Sequence, residues 1–301
     1  MPELPEVETI RRGLNNFIIK KKLTHTKVLC EKSFIGTPTT GTVKALRRFG
    51  KALIIVLDNG MSLMIHLRMT GQLIYDSRVS TQNNSGPLTK GNRYAAGHPS
   101  DNFTASLPNK QTRVILEFED GTLYFNDQRK FGFIKVLPVS EVPNDSFIKK
   151  LAKEPWDMTA DEFYEKLQNH KNSLIKATIL DQSIVCGLGN IYADEALFTS
   201  HIHPKRRSGT ITKQEATTLL QSARLVMDKS IDSGGSTMAT YVKADGTKGD
   251  YLEKFAQVFH RENQPCFICG TKIIKTKVAG RGTHICPHCQ PVPTIVKESS
   301  R

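Results

Sequence analysis

The sequence lacks any apolar run near the roughly 20 residues that a bilayer-spanning helix needs; the longest, Ala52 to Leu57, has six. A membrane helix is therefore excluded as a reading. A secretory leader is missing too, because Glu3, Glu6 and Glu8 stand where a positive region and an apolar stretch would have to be. A cytoplasmic address is expected. Acid is scarce: 29 Asp and Glu face 42 Lys and Arg, a net charge of +13 with a pI near 9.5. That balance points to a polyanionic partner, nucleic acid first. Cysteine is scarce outside one segment, with Cys30 and Cys186 alone and the other four within residues 266–289, which argues against a disulfide scaffold and for a metal site in a reducing compartment. There is no internal repeat. With 301 residues, 38% hydrophobic and 24% charged, the chain is long and apolar enough for roughly two globular domains.

The pattern changes along the chain. Pro2 and Pro5 precede Val7, Ile10 and Leu14, a spacing that lays one apolar stripe along an opening helix. From Thr24 to Leu137 short β-branched and aromatic runs take over: Ala52 to Leu57, Leu63 to His66, Val114 to Phe118, Leu123 to Phe125 and Phe131 to Val136. Asp-Asn-Gly and Glu-Asp-Gly turns punctuate them, so an antiparallel sandwich or barrel is predicted. Residues 77–110, rich in Asn, Gly, Ser and Pro, read as a long mobile surface loop. Beyond Pro143 helical spacing is predicted over Asp161 to His170, Ser173 to Ser183, Ile191 to Ser200 and Lys213 to Ser230. The expected division is a 1–140 β domain, a 141–256 helical domain, a 257–290 cysteine module and a 291–301 tail. The fold class is α+β.

Cys266-Phe-Ile-Cys269, sixteen residues, then Cys286-Pro-His-Cys289 has the spacing of a four-thiolate zinc site. One structural Zn2+ is predicted, on Cys266, Cys269, Cys286 and Cys289, with a hairpin between the pairs. His284 and His288 are left out because four thiolates complete the shell. From Lys254 to Arg281 six basic residues face Glu262 alone, a net of +5 that suits either nucleic-acid contact or a solvated face. Cys186-Gly-Leu-Gly-Asn190 lies between helical stretches, and Asn190 is read as the N-cap of the second, a place where free N–H groups attract phosphate or simply turn a corner. Lys44, Arg47, Arg48 and Lys51 form a second basic cluster with the same two readings.

The N-terminus carries a chemical possibility of its own. Once Met1 is removed, Pro2 presents a secondary amine with Glu3 and Glu6 within one helical turn. An α-amino group near pKa ~8 is roughly a tenth neutral at pH 7, far more than a lysine, so it is the better-prepared nucleophile. Attack on a sugar anomeric carbon forms an iminium that promotes elimination, and a nearby carboxylic acid can protonate the opening ring oxygen. Read alone, Pro-Glu also suits an ordinary helix start, the acids complementing the dipole.

Met1-Pro-Glu-Leu-Pro-Glu-Val-Glu8 resembles the start of the bacterial formamidopyrimidine-DNA glycosylases. The similarity recurs at His66-Leu-Arg-Met-Thr-Gly71, Asp127-Gln-Arg-Lys-Phe-Gly132, Gly187-Leu-Gly-Asn-Ile-Tyr-Ala-Asp-Glu195 and Lys277-Val-Ala-Gly-Arg-Gly-Thr-His-Ile-Cys286. The resemblance implies an N-terminal β-sandwich carrying a catalytic helix, then a helix-two-turn-helix module and a C-terminal β-hairpin zinc finger. Damaged double-stranded DNA would be clamped by them with the lesion flipped out. It makes Pro2 the nucleophile, Glu3 the general acid/base, and Glu6 the residue that orders the catalytic helix. Lys51 would hold the phosphate beside the lesion, while Asn190 and Arg281 grip phosphates. Met69, Arg129 and Phe131 would fill the gap left by the extruded base. Lys176 matches a lysine placed near the lesion pocket, and Lys243 to Leu252 resembles a loop that closes over it.

Where many relatives read Lys-His-Asp-His-Val, this chain reads Lys110-Gln-Thr-Arg-Val114, so Lys110 or Arg113 would have to supply that histidine's phosphate contact. The implied activity is excision of 8-oxoguanine and formamidopyrimidines followed by β,δ-elimination, by a monomer acting at the nucleoid and needing no membrane. The alternatives are the sister family for oxidised pyrimidines and a non-catalytic zinc-finger DNA-binding protein, which would need neither Pro2 nor Glu3.

Overall fold

A computed structural model of the protein describes residues 1–78, 93–98, 100–236 and 251–292. Most of Lys243 to Leu252, residues 79–92 of the expected long loop, and 293–301 of the tail lie outside them. The chain forms two compact units: Met1–Lys149 with 233–236, and Lys150–Asp232 with 251–292. No helix among the described residues is long and apolar enough to cross a membrane.

In the first unit α1 (Leu4–Ile18) begins where the sequence places it. Leu4, Val7, Ile10, Leu14 and Ile18 recur every three or four residues and are all at most 1% exposed, each worth about 2 kcal/mol of transfer free energy. Ten strands follow: β1 (Lys22–Val28), β2 (Phe34–Ile35), β3 (Gly41–Phe49), β4 (Ala52–Leu57), β5 (Met61–His66), β6 (Gly71–Ser77), β7 (Arg93–Gly97), β8 (Thr112–Phe118), β9 (Gly121–Asp127) and β10 (Phe133–Pro138). They hydrogen-bond in the order β2-β10-β5-β4-β3-β1-β8-β9-β6-β7. β1 and β3 share only the pairs Lys22–Thr42 and Leu23–Gly41, so the ribbon divides there into two halves. The inner faces of both halves, from Leu53, Ile55 and Ile65 on one to Leu73, Leu116 and Phe125 on the other, join α1 in one core. That is the expected sandwich.

The 77–110 stretch differs from its reading as a loop without elements. Arg93–Gly97 is a strand, paired with β6 from Gln72–Gly97 to Asp76–Arg93, and Tyr94 stacks on Phe17 of α1 at 5.3 Å between ring centroids. Ala95 and Ala96 carry no β-branched signal, so tertiary pairing rather than propensity makes the strand.

The second unit contains α2 (Ala160–Asn169), α3 (Ile175–Leu180), α4 (Asn190–Thr199), α5 (Lys213–Asp232) and α6 (Tyr251–Lys254), with the hairpin β11 (Ile274–Val278) and β12 (Arg281–Ile285). Thr159 and Glu162 form a reciprocal capping box at the start of α2. α5 packs on α2 and α4, and α4 on β12. The helix predicted over Ser173 to Ser183 is shorter, because Asp181 takes up Ser183 N–H at 2.9 Å and turns the chain.

Candidate active site and nucleic-acid interface

The first turn of α1 is built from its own acids. Glu6 Oε2 accepts the Glu3 N–H at 2.8 Å, the returning half of a capping box. Glu6 Oε1 accepts the Ser236 N–H at 2.9 Å and the Ser236 hydroxyl at 2.7 Å. Ser236 is delivered by Gly234 and Gly235, both in the left-handed region with φ of 78° and 93°, where a side chain would be strained. Sequence reading missed Ser236; the Gly-Gly pair before it was the available signal. Glu3 and Glu6 are 3% and 5% exposed, Pro2 is buried and Met1 exposed. The Glu6 carboxylate thus joins the Glu3 backbone to Ser236 at the first turn of α1.

Glu8, one turn on, gathers Arg11 at 2.7 Å, Arg12 at 2.8 Å and Arg48 at 3.2 Å. Burial pushes its carboxyl up, but the hydrogen bonds of Arg11 and Arg12 and the charge of Arg48 outweigh this and bring its pKa to about 2. The basic cluster on β3 is therefore divided. Lys44 and Arg47 are exposed, Arg48 is tied to Glu8 and to Gly50 O, and Lys51 is 7% exposed where the chain enters β4.

Two tight turns lie beside one another at the strand ends. Arg68 and Lys130 adopt φ of 52° and 58°. Buried Asp127 accepts the Thr70 hydroxyl, the Arg129 N–H at 3.1 Å and the Gly132 N–H at 2.7 Å, and Thr70 also receives the Arg129 N–H at 3.0 Å. Met69 and Phe131 emerge 40% and 57% exposed, and the Arg129 guanidinium sits 4.9 Å from the Phe131 ring centre. Neither Met69 nor Phe131 is packed into the core. His66, at the end of β5, accepts the Arg68 N–H on Nδ1 at 3.0 Å and meets Phe147 edge-on at 5.1 Å. Burial, with Arg68 and Lys51 nearby, drops its pKa to about 3, so the ring stays neutral. Arg113, 8% exposed, donates to the carbonyls of Asp127 at 2.7 Å and Lys110 at 3.0 Å. Its guanidinium braces the sheet.

In the second unit α4 starts at Asn190 itself, with Gly189 in the N-cap position that the sequence assigns to Asn190. Asn190 Nδ2 donates to Gly282 O at 3.0 Å. Lys176 does not reach a surface. It is fully buried, its Nζ 2.6 Å from Asp194 Oδ1 and donating to Thr283 Oγ1 at 2.7 Å and Gly282 O at 3.0 Å. The lysine that the resemblance places near the lesion pocket is thus consumed inside the fold, its ammonium pinning α3 and α4 to the hairpin beside Arg281. Arg281 itself is exposed, after a turn in which Ala279 and Gly280 adopt φ of 47° and 77°. Neighbouring Glu195, with its pKa raised by burial, accepts the N–H groups of Gln257, Val258 and Phe259 at 2.8–2.9 Å.

The four cysteines come together as predicted. Their sulfurs all lie within 4.8 Å of one another, with Cys266–Cys289 at 3.9 Å and Cys269 at 3.5 Å from both Cys286 and Cys289. A tetrahedral Zn2+ with bonds of about 2.3 Å requires sulfur separations of about 3.8 Å, so the set fits one structural zinc. Two backbone N–H groups, of Ile268 and Cys289, point at cysteine sulfurs at 3.4 Å, as thiolates need. Of the finger's basic residues Arg261 is structural, donating to Gln257 O at 2.6 Å and Pro265 O at 2.7 Å.

Known proteins share this arrangement. Residues 1–134 match the formamidopyrimidine-DNA glycosylase N-terminal domain, 151–242 the H2TH domain of the same enzymes, and 263–292 the zinc finger found in FPG and IleRS. The formamidopyrimidine-DNA glycosylase of Pelotomaculum thermopropionicum is 36% identical over 97% of this chain and 100% of its own. The structure superimposes on Lactococcus lactis Fpg bound to abasic-site DNA with a TM-score of 0.80 at 30% identity, covering 97% of this chain and 100% of that one. A mutant of the same Lactococcus protein with Fapy-dG DNA gives 0.81 at 31%, with the same coverage. On the motifs, the fold and this full-length likeness together, the chain belongs to the formamidopyrimidine-DNA glycosylase family.

Proposed function

We propose that the protein excises oxidised purines, 8-oxoguanine and formamidopyrimidines, from double-stranded DNA and then cuts the strand, acting as a monomer on nucleoid DNA in the cytoplasm. The observation that carries this reading is the first turn of α1, where Pro2 stands with buried Glu3 on a backbone that Glu6 and Ser236 hold. With Met1 in place the Pro2 nitrogen is an amide; its removal leaves a secondary amine. That nitrogen's lone pair bonds C1′ of the lesion nucleotide, and the bond from C1′ to the base breaks with its electron pair on the base, which takes a proton. The nitrogen loses its own proton. The C1′–O4′ bond then opens with its electrons on O4′, protonated by Glu3, and the nitrogen lone pair completes an iminium. Loss of a C2′ proton expels the 3′ phosphate, and a second elimination expels the 5′ phosphate.

The other residues bind and position. Met69, Arg129 and Phe131 are suited to the space of an extruded base, being exposed on turns fixed by Asp127. Lys51, Asn190 and Arg281 serve the phosphates, and zinc on the four cysteines holds the hairpin that presents Arg281. The Fapy-dG in the Lactococcus lactis complex supports the purine preference. The test is borohydride trapping on duplexes carrying 8-oxoguanine or thymine glycol. Wild type is expected to give a covalent adduct, faster on 8-oxoguanine, and Pro2→Gly none while still binding the lesion duplex. An adduct at wild-type rate in Pro2→Gly overturns the mechanism, and a preference for thymine glycol overturns the substrate class.

A further inference from the structure

The two turns that present Met69, Arg129 and Phe131 hang from one residue, and a side chain with no task in the mechanism above holds that residue in turn. Asp127 closes β9 opposite Gly71, the first residue of β6. Its carboxylate fixes the turns through the Thr70 hydroxyl and the N–H groups of Arg129 and Gly132. Its backbone is held as well. The Asp127 N–H donates to Gln111 O at 2.9 Å, and Asp127 O accepts from Arg113 Nε at 2.7 Å.

Arg113 reaches that carbonyl because β8 bulges. Thr112 pairs with Asn126 and Val114 with Phe125, so Arg113 is the extra residue at that step of the ladder. A bulge re-aims the side chain it carries. Here the guanidinium, on a residue 8% exposed, spans two carbonyls, Asp127 O through Nε and Lys110 O through Nη1 at 3.0 Å. The planar fork suits that bridge, since its donors keep a fixed spacing. Gln111, the other support of Asp127, is fixed too. Its N–H donates to Asn109 Oδ1 at 2.9 Å, and its Oε1 accepts from Asn102 Nδ2 at 2.6 Å. Asn102 also reaches Gln72 Oε1 at 3.0 Å, one residue from Gly71.

We infer that Arg113 is a positioning residue for extrusion of the damaged base, acting through Asp127 on the turns that carry Met69, Arg129 and Phe131. The inference rests on the gap-filling role given to those three side chains above. Met69 and Phe131 are 40% and 57% exposed, so the backbone of the turns, more than packing, sets their direction. Without the fork, Asp127 O loses its donor, the carboxylate is less firmly aimed, and the wedge is present but loose. The cost falls on the step in which the base is unstacked and its space is taken. With Nε and Nη1 spent on carbonyls, Arg113 serves the backbone in place of a phosphate.

The test compares single-turnover cleavage of two duplexes, one with 8-oxoguanine and one with a natural abasic site, where no base is left to unstack. Wild type, Arg113→Met, Arg113→Lys and Phe131→Ala are measured. The readout is the ratio of the 8-oxoguanine rate to the abasic rate, which a general loss of folded enzyme does not move. Arg113→Met is expected to lower it about tenfold, the lower end for a hydrogen bond from a charged donor, with a wild-type slope of log K against log salt on undamaged duplex. Arg113→Lys keeps the charge but offers one donor head in place of the fork, and its ratio is expected to fall by less. A wild-type ratio in Arg113→Met overturns the inference. So does a salt slope reduced by about one unit, the mark of a lost phosphate contact. Should Arg113→Met not fold, Arg113→Lys decides alone, and a wild-type ratio there is the refutation. Phe131→Ala tests the premise. If it keeps the wild-type ratio, the gap-filling role fails and takes the inference with it; if it lowers the ratio and the Arg113 variants do not, only the role of Arg113 fails.

Discussion

Replacing Lys176 by Met, nearly isosteric but uncharged, removes the cation of a fully buried pair. Among the described residues Asp194 would keep only the His284 N–H at 2.9 Å and the His284 ring at 3.5 Å, and the carbonyl of Gly282 and hydroxyl of Thr283 would each lose a donor. Breaking such a pair by taking one partner costs about 3–5 kcal/mol, because a desolvated charge is left behind. For a unit of this size about 4 kcal/mol corresponds to a fall of roughly 8–16 °C in the unfolding midpoint. Thermal unfolding of the whole protein, followed by zinc release to a chromogenic chelator, reports on the second unit. Lys176→Met is expected to release zinc at the lower temperature, and Lys176→Met with Asp194→Leu to recover most of the loss, since the orphaned carboxylate goes too. A midpoint within 2 °C of wild type for the single variant, or a double variant no better than the single, would refute the claim that the ammonium is spent on this pair.

Arg281→Ala should weaken binding to every duplex and reduce the slope of log K against log salt by about one unit in a salt titration; a loss confined to lesion DNA would contradict a phosphate contact. Cys289→Ala, or chelation of zinc, should abolish DNA binding in a mobility-shift assay while the near-ultraviolet signal of the sandwich persists. Glu8 has its carboxyl held near 2 against an ordinary 4.5. Its contribution is therefore fully present above about pH 4.5 and lost as pH falls towards 2. The stability gap between wild type and Glu8→Gln, measured by urea unfolding, should close over that window and stay constant above pH 5.

Short-range signals were legible in the sequence. The cysteine spacing gave the zinc cluster, Val7-Ile10-Leu14 gave α1, and Asp-Asn-Gly and Glu-Asp-Gly marked the turns before β5 and β9. The losses lie where a distant partner decides. Lys176 reads as any helical lysine until Thr283, 107 positions away, meets its ammonium. β7 has no strand signature of its own and exists because β6 and α1 offer it an edge and a face. Met69 and Phe131 have the composition of core residues, and only the Asp127-centred turns turn them outward. The family motifs identified those two positions, whereas hydropathy would have buried them.

The clamp on Glu6 reaches 230 positions along the chain to Ser236, and so ties the first turn of α1 to a segment translated much later. A ribosome exposes α1 and all ten strands of the sandwich long before that serine leaves the exit tunnel. Until then the leading turn lacks two of the donors that steady Glu6. A fragment ending at Lys149 would lack both donors permanently, and its first turn would be held less firmly than in the whole molecule.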